Sequence, residues 1–295
     1  NLSSGNTGTG YLGIMRSGQG VIPKLDFSPA IPWADHTENN HTIPGGNFWS
    51  ENWRDLTEML VNLHSVDPMF ILTTERANEF LIGLPHTIPG ALHSHQPFYV
   101  DALGRTPPIL TNAEPIPISE AIYHDYGVRI PELAIRSLYA SIYDNCKDTT
   151  EQDGAIALAL HQAAVAIMYG EPLTINFAYN EGSSGKKGNI DLKYDCLPNE
   201  LSPIWRDVFD YEIRLAAARS HAKSYLIYGK MLRPPEIDGQ KKEVKFIRNG
   251  NVVKQDITPV VGSAWRAPDG SIAIAITNPM PEAININLAL DRDSM

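Results

Sequence analysis

Two carboxylates follow predicted strands in the first third of the chain. Asp26 lies at the end of the predicted strand 21–27, and Glu75 comes directly after the predicted strand 69–74. In (β/α) barrels the catalytic groups lie at the carboxyl ends of strands, so we expect these two side chains to face one pocket. Two carboxylates about 5–10 Å apart perform glycoside hydrolysis, one at the glycosidic oxygen and the other at the anomeric carbon or an attacking water. The alternative for each carboxylate is a structural helix cap or salt bridge.

A third ionisable site and a long polar loop accompany these carboxylates. The segment 116–123 predicts a strand that ends at His124, Asp125 and Tyr126. The loop 28–47 is rich in proline and glycine, and a loop of this length inside a folded domain is usually functional or disordered. It carries one tryptophan and four ionisable side chains: Trp33, Asp35, His36, Glu38 and His41. Because sugar rings stack on aromatic faces, Trp33 is the predicted sugar platform.

Histidines provide a competing interpretation. If the segment is extended, His93 and His95 place both imidazoles on one side of the chain, which is a spacing found in metal sites. A third histidine and a carboxylate would complete a metal-dependent hydrolase. We nevertheless predict no metal and no cofactor, because Gln96 and Pro97 indicate a loop there. A non-catalytic carbohydrate-binding protein is the third hypothesis.

The elements that must position these groups alternate between strand and helix up to about residue 240. Apolar spacing of +4 and +3 predicts a helix from Trp49 to Leu63 that ends at Asp67-Pro68. Further helices are predicted from Pro131 to Tyr143 and from Ile204 to Tyr225. Ala155–Tyr169 is apolar on nearly all sides, which predicts a buried helix capped by Gly170. Leu173–Ile175 is a predicted strand.

The hydrophobic period changes to two after residue 241, which predicts antiparallel strands. Arg248–Asn251 and Pro268–Gly270 are the predicted turns. We therefore predict an α/β protein with a (β/α)8-type barrel in residues 1–240, of which 1–20 form an irregular leader, and a β-sandwich in residues 241–295. A complete barrel takes about 250 residues. Either several units are irregular or the chain holds only the C-terminal half of the barrel.

Composition restricts the class of partner. The 295 residues include 24 Lys and Arg against 34 Asp and Glu, for a net charge of −10. No basic patch offsets this acidity, so we expect no nucleic-acid partner. No apolar run approaches the roughly 18 residues that span a membrane, so we expect no membrane partner.

Several motifs together resemble a family of poorly characterised, mostly bacterial glycoside-hydrolase-like proteins. These proteins have a barrel related to the α-galactosidase and α-glucosidase group and a C-terminal β-sandwich. The resemblance spans residues 21–290. It rests on Leu25-Asp26, residues 35–41, Pro44-Gly45-Gly46-Asn47-Phe48-Trp49, residues 72–79, Ile122-Tyr123-His124-Asp125-Tyr126, residues 228–235 and residues 263–270.

The resemblance implies a glycosidase with Asp26 as nucleophile or base and Glu75 as acid/base. Its substrate would be an oligo- or polysaccharide, contacted by Trp33, Asp35, His41, Asn78, His124, Asp125 and Tyr126. The family's N-terminal β domain and first barrel strands have no counterpart here, and Phe27 replaces the glutamine that usually follows the aspartate. We therefore expect a further N-terminal segment or a homo-oligomer. The class also implies a secreted or periplasmic location.

Overall fold

The structure is a computed structural model. The chain divides into two compact units. The first is formed by residues within 1–91 and 126–129, and the second by residues within 92–125 and 130–295. The residues described are 24–25, 48–68, 70, 73–74, 87–89, 118–126, 128–130, 143, 146–173, 203–239, 241–248 and 251–290. Nearly all of the predicted helix 131–143 and of the predicted strand 173–175 lies outside this part of the chain.

The first unit contains a strand–helix–strand motif with parallel strands. Strand β1 (Lys24–Leu25) is followed by helix α1 (Phe48–Val66) and strand β2 (Thr73–Thr74). Strands β1 and β2 are parallel neighbours, and β2 is also parallel to β3 (Thr87–Pro89). Strand β4 (Val128–Ile130), whose first two residues belong to this unit, completes a sheet of order β1-β2-β3-β4. The described residues thus include the βαβ unit from which barrels are built, and they show no barrel closure.

Helix α1 forms as its hydrophobic spacing predicts. Leu60 and Leu63 of the predicted stripe are buried, as is Met59. The chain leaves the helix through a turn in which Asp67 accepts a hydrogen bond from the Phe70 amide at 3.0 Å. His64 Nε2 bonds the carbonyl of Phe70 at 3.1 Å, which fastens this turn to the helix. The predicted end of the helix at Asp67-Pro68 is confirmed.

The predicted strand 116–123 is wrong. Residues Ile118–Tyr123 form helix α2, and His124–Tyr126 form a 3₁₀ helix. Short apolar runs do not distinguish strand from helix, and Ile118, Ala121 and Ile122 also fit the helical spacing. Glu120 in the first helical turn favours the helix through the macrodipole. His124 and Asp125 therefore do not follow a strand, so their position no longer supports a role as site residues at a strand end.

Helix α3 (Thr149–Met168) lies at the centre of the second unit. It begins earlier than its apolar pattern predicts, because Asp148 caps it: the Asp148 side chain accepts a hydrogen bond from the Glu151 amide at 2.9 Å. Most of its following turns are buried, as predicted. At its other end Gly170 has φ 85°. The amides of Gly170 and Glu171 bond the carbonyls of Ile167 and Ala166, which is the Schellman arrangement.

The second predicted long helix is interrupted near its end. Helix α4 (Pro203–His221) and the short helix α5 (Lys223–Leu226) are separated at Ala222. Trp205, Val208 and Leu215 of α4 are buried, and Tyr225 in α5 is partly buried against the same core. The apolar rhythm thus predicted the buried face of α4 and missed the break, since a single alanine carries no helix-breaking signal.

The antiparallel strands predicted for the C-terminal residues are confirmed. Strands β7 (Lys242–Arg248) and β8 (Asn251–Ile257) form a hairpin, with Arg248 opposite Asn251. A second sheet has the order β10 (Ile272–Thr277), β9 (Val261–Arg266) and β5 (Lys230–Leu232). Strand β6 (Glu236–Asp238) pairs with β11 (Asn287–Ala289).

Helices and strands of the second unit share one hydrophobic core. Trp205 of α4, Phe246 of β7 and Trp265 of β9 are each at most 1% exposed and lie in the same cluster as Leu158 of α3. Burying a large apolar side chain contributes about 1.5–3 kcal/mol relative to leaving it exposed. The strands after residue 241 therefore obtain much of their stability from helices that precede them in the chain.

His161 on α3 makes the stability of this unit depend on pH. Its Nε2 donates to the carbonyl of Thr258, which follows β8, at 3.1 Å. Burial lowers the His161 pKa from 6.5 to about 4, although the hydrogen bond opposes the shift. A lowered histidine pKa stabilises the fold above pH 6.5, and this contribution is lost as the pH falls towards 4. We expect about 2 kcal/mol of stability to be lost between pH 7 and pH 5 from this group.

Urea unfolding of the wild type and of His161→Gln at both pH values measures this loss. Glutamine keeps a donor for the Thr258 carbonyl and does not titrate, so the variant should lose clearly less stability on acidification. Equal losses in the two proteins would assign the pH dependence to other groups.

Candidate functional site

Strands β1 and β2 lead directly to the two predicted catalytic carboxylates. Lys24 pairs with Thr73 and Leu25 with Thr74, in parallel register. Asp26 and Glu75 are the next residues of the two strands in the sequence, and both lie outside the described residues. Strands β1 and β2 are therefore parallel neighbours, whereas the positions of the two carboxylates stay a prediction.

Most other predicted site residues also lie outside the described part of the chain. This holds for Trp33, Asp35, His41 and Asn78, and for the alternative metal ligands His93 and His95. Tyr126 is described only as the end of the 3₁₀ helix. Among the residues that the structure describes, no group of three or more His, Cys, Asp or Glu could hold a metal ion.

His124 packs inside the second unit. Its Nε2 bonds the carbonyl of Ile227 at 3.1 Å, and its ring meets the Trp265 indole edge-on at a centroid distance of 4.9 Å. The neighbouring Asp125 is exposed. These contacts give the His124 imidazole a structural role, because they occupy its Nε2 and its face towards Trp265. Its predicted contact with a sugar has no support in this geometry.

Side chains from β9 and α4 hold the carboxyl end of α3, close to His124. The Trp265 indole N–H donates to Ser263 Oγ at 2.8 Å and to the Met168 carbonyl at 3.2 Å. The Arg219 guanidinium donates to the Gly170 carbonyl through Nε at 3.1 Å and Nη2 at 2.8 Å. A helix end leaves its last carbonyls without intrahelical partners, and the Trp265 indole satisfies that of Met168. Arg219 satisfies the carbonyl of Gly170, which follows the helix cap. Burial lowers the Arg219 pKa, opposed by the negative charge of Glu171.

Gly170 at this helix end should not tolerate a side chain. A Cβ there would lie 2.7 Å from His124 Cε1 and 2.9 Å from Trp265 Cη2, at a φ that L residues rarely adopt. We expect Gly170→Ala to cost about 2 kcal/mol, from backbone strain and overpacking together. Gly270 is the matched control, since its φ is 87° and nothing lies within 4 Å of its Cβ position.

Thermal or urea unfolding of both alanine variants separates the two contributions to that cost. Gly270→Ala should show the strain alone, about 1 kcal/mol. Equal destabilisation at both positions would contradict the crowding by His124 and Trp265.

A pocket of about 630 Å³ lies between α3 and α4 in the second unit. We call it the α3–α4 pocket. Its apolar lining comes from both helices and from the loop after β10: Ile156, Ala157, Leu160, Ile204, Val208, Pro279, Met280 and Pro281. Its polar lining consists of Asp153, Asp207, Tyr211, Arg214, Lys242 and Asn278. An apolar cavity of this volume with a few polar groups has the form of a small-molecule site.

Tyr211 forms a fixed wall of the α3–α4 pocket. Its hydroxyl is hydrogen-bonded to Thr277 Oγ1 at 3.1 Å, and burial raises its pKa. The guanidinium carbon of Arg214 lies 6.0 Å from the centre of the Tyr211 ring, within range of a cation–π contact. These contacts hold the ring in place, so the pocket wall does not depend on a ligand.

Sequence reasoning missed the α3–α4 pocket because its parts are far apart in the chain. One local signal was present. Asp207, Tyr211 and Arg214 follow one another at +4 and +3 on α4, which places three polar side chains along one side of the helix. These side chains line the same pocket as Asp153 of α3 only because the two helices pack together.

Comparison of the chain with protein-family models, with curated proteins and with solved structures finds no match in any of the three. None of the helices that the structure describes is long and apolar enough to cross a membrane. The resemblance drawn from the motifs therefore stays a prediction.

Proposed function

We propose that the protein is a glycoside hydrolase that uses Asp26 and Glu75 on an oligo- or polysaccharide. One observation supports this proposal above the others: the parallel register of β1 and β2, with Leu25 opposite Thr74. If the same register continued by one residue, Asp26 would lie opposite Glu75. Residues directly opposite each other point to the same face of a sheet, so the two carboxyl groups would face one site.

The register also favours one stereochemical outcome. Adjacent strands are about 4.8 Å apart, and the carboxyl groups of retaining glycosidases are about 5–5.5 Å apart. Inverting enzymes need about 6.5–9.5 Å, to leave room for a water molecule. We therefore propose a retaining mechanism, with Asp26 as the nucleophile and Glu75 as the acid/base.

The proposed reaction has two steps. The protonated Glu75 gives its proton to the glycosidic oxygen while that oxygen leaves the anomeric carbon, and an Asp26 oxygen forms a bond to the same carbon. The Glu75 carboxylate then takes a proton from a water molecule, whose oxygen displaces Asp26 and releases the sugar. The reaction needs no cofactor. A secreted or periplasmic location belongs to this proposal, because enzymes that degrade polysaccharides are usually exported.

A screen of the purified protein against aryl glycosides and oligosaccharides, with and without a chelator, tests the class of reaction. We expect sugar release that the chelator does not affect. The anomer formed first, followed by NMR, should match that of the substrate. Chelator-sensitive release would contradict the carboxylate mechanism and favour a metal site such as His93 and His95, whereas an inverted product would contradict the proposed spacing.

A further inference from the structure

The charges around the α3–α4 pocket do not cancel. Asp153 on α3 and Asp207 on α4 are both exposed at its edge, and no ion pair or hydrogen bond of their side chains is found in the described part of the chain. Lys242 is neutralised by Glu282, with Nζ 2.5 Å from Oε1. Among the lining residues that the structure describes, Arg214 is the other cation, with its guanidinium carbon 6.0 Å from the centre of the Tyr211 ring. Two carboxylates thus face one guanidinium, and the pocket edge carries net negative charge.

The interior of the pocket is aliphatic. Ile156 and Leu160 from α3 line it, and α4 and the loop after β10 add Ile204, Val208 and Met280. Val208 and Met280 are buried, which gives the pocket a packed floor. An aliphatic interior favours a ligand with an apolar body, and a negatively charged edge favours one with a positive head group.

We propose that the α3–α4 pocket binds an organic cation, an amine with an aliphatic body and a charged ammonium group. The body occupies the space between Leu160 and Val208, and the ammonium group lies between Asp153 and Asp207. Tyr211 contributes an aromatic edge to the same space. This site belongs to the second unit and requires neither Asp26 nor Glu75, so it stands whether or not the protein is a glycosidase.

Calorimetric titration with three eight-carbon probes that differ only in the head group tests the proposal. n-Octylammonium is charged at pH 7 as a lysine side chain is. We expect it to bind more tightly than n-octanol, and n-octanoate to bind most weakly. Equal or tighter binding of n-octanoate, or no binding of any probe, would overturn the proposal.

Substitutions then assign the binding to the pocket. Removing both carboxylates with Asp153→Asn and Asp207→Asn together should weaken n-octylammonium binding about tenfold and leave n-octanol binding unchanged, because exposed charge pairs contribute modestly. Ala157→Phe should fill the pocket and abolish binding of both probes. Asp210→Asn is the control, since Asp210 is an exposed carboxylate on α4 outside the pocket lining. Unchanged n-octylammonium binding in the double variant, with its fold verified by circular dichroism, would also overturn the proposal.

Discussion

Gly154→Ala is expected to destabilise the protein by about 2 kcal/mol or more, although alanine is the better helix former. Gly154 lies on α3 against the backbone of β7, and a Cβ there would overlap the Lys245 carbonyl oxygen and lie 2.8 Å from its carbon. Helix propensity favours alanine over glycine by about 1 kcal/mol. The overlapping atoms belong to the strand backbone, which cannot move aside as a flexible side chain can. Overpacking of this kind costs about 3 kcal/mol or more, so the packing cost exceeds the propensity gain.

Urea unfolding of Gly154→Ala measures the net effect, and Gly239→Ala is its control. The nearest atom to a Cβ at position 239 is Ile286 Cγ2 at 3.7 Å, an ordinary contact. Alanine at position 239 should therefore be neutral, or slightly stabilising because it restricts the unfolded chain. A Gly154→Ala protein as stable as the wild type would show that α3 and β7 are not packed this closely.

Asp26→Asn and Glu75→Gln are each expected to lower kcat by about 10²–10⁴-fold, the range that general acid–base catalysis contributes. Asparagine cannot act as the nucleophile, and glutamine cannot transfer a proton to the leaving oxygen. The loss of kcat caused by Glu75→Gln should be smaller on aryl glycosides with good leaving groups, because these leaving groups need less protonation. The substitution should also remove the pH dependence that the acid imposes on kcat/KM.

Asp55→Asn is the control for these activity measurements. Asp55 is an exposed carboxylate on α1 in the same unit, with its side chain 70% exposed. Its substitution removes one negative charge from the same unit and should leave kcat unchanged. Near-normal turnover in both Asp26→Asn and Glu75→Gln would refute the proposed function. If neither the wild type nor the variants turn over a saccharide, but all of them bind it, the protein is a carbohydrate-binding protein.

Short-range patterns in the sequence determined the elements whose burial repeats with a regular period. The +4 and +3 spacing predicted the helix that ends at Val66, and the all-round apolar segment predicted the buried helix that ends before Gly170. Alternation predicted the β7–β8 hairpin. In each case one face or the whole surface of the element is buried, and the spacing of apolar residues in the local sequence shows which face that is. The parallel pairing of β1 and β2 was not predicted from the sequence, although a helix between two strands is the usual connection of a parallel pair.

Tertiary structure alone decided the features that depend on distant partners. Residues 118–123 fit either a strand or a helix, and they form a helix that packs against β5. His124 was assigned to a strand end, but its contacts come from Ile227 and Trp265, more than 100 residues away in the chain. The α3–α4 pocket exists because two helices separated by more than 30 residues pack side by side. Local periodicity specifies which face of an element is buried, and only three-dimensional packing specifies which other element covers it.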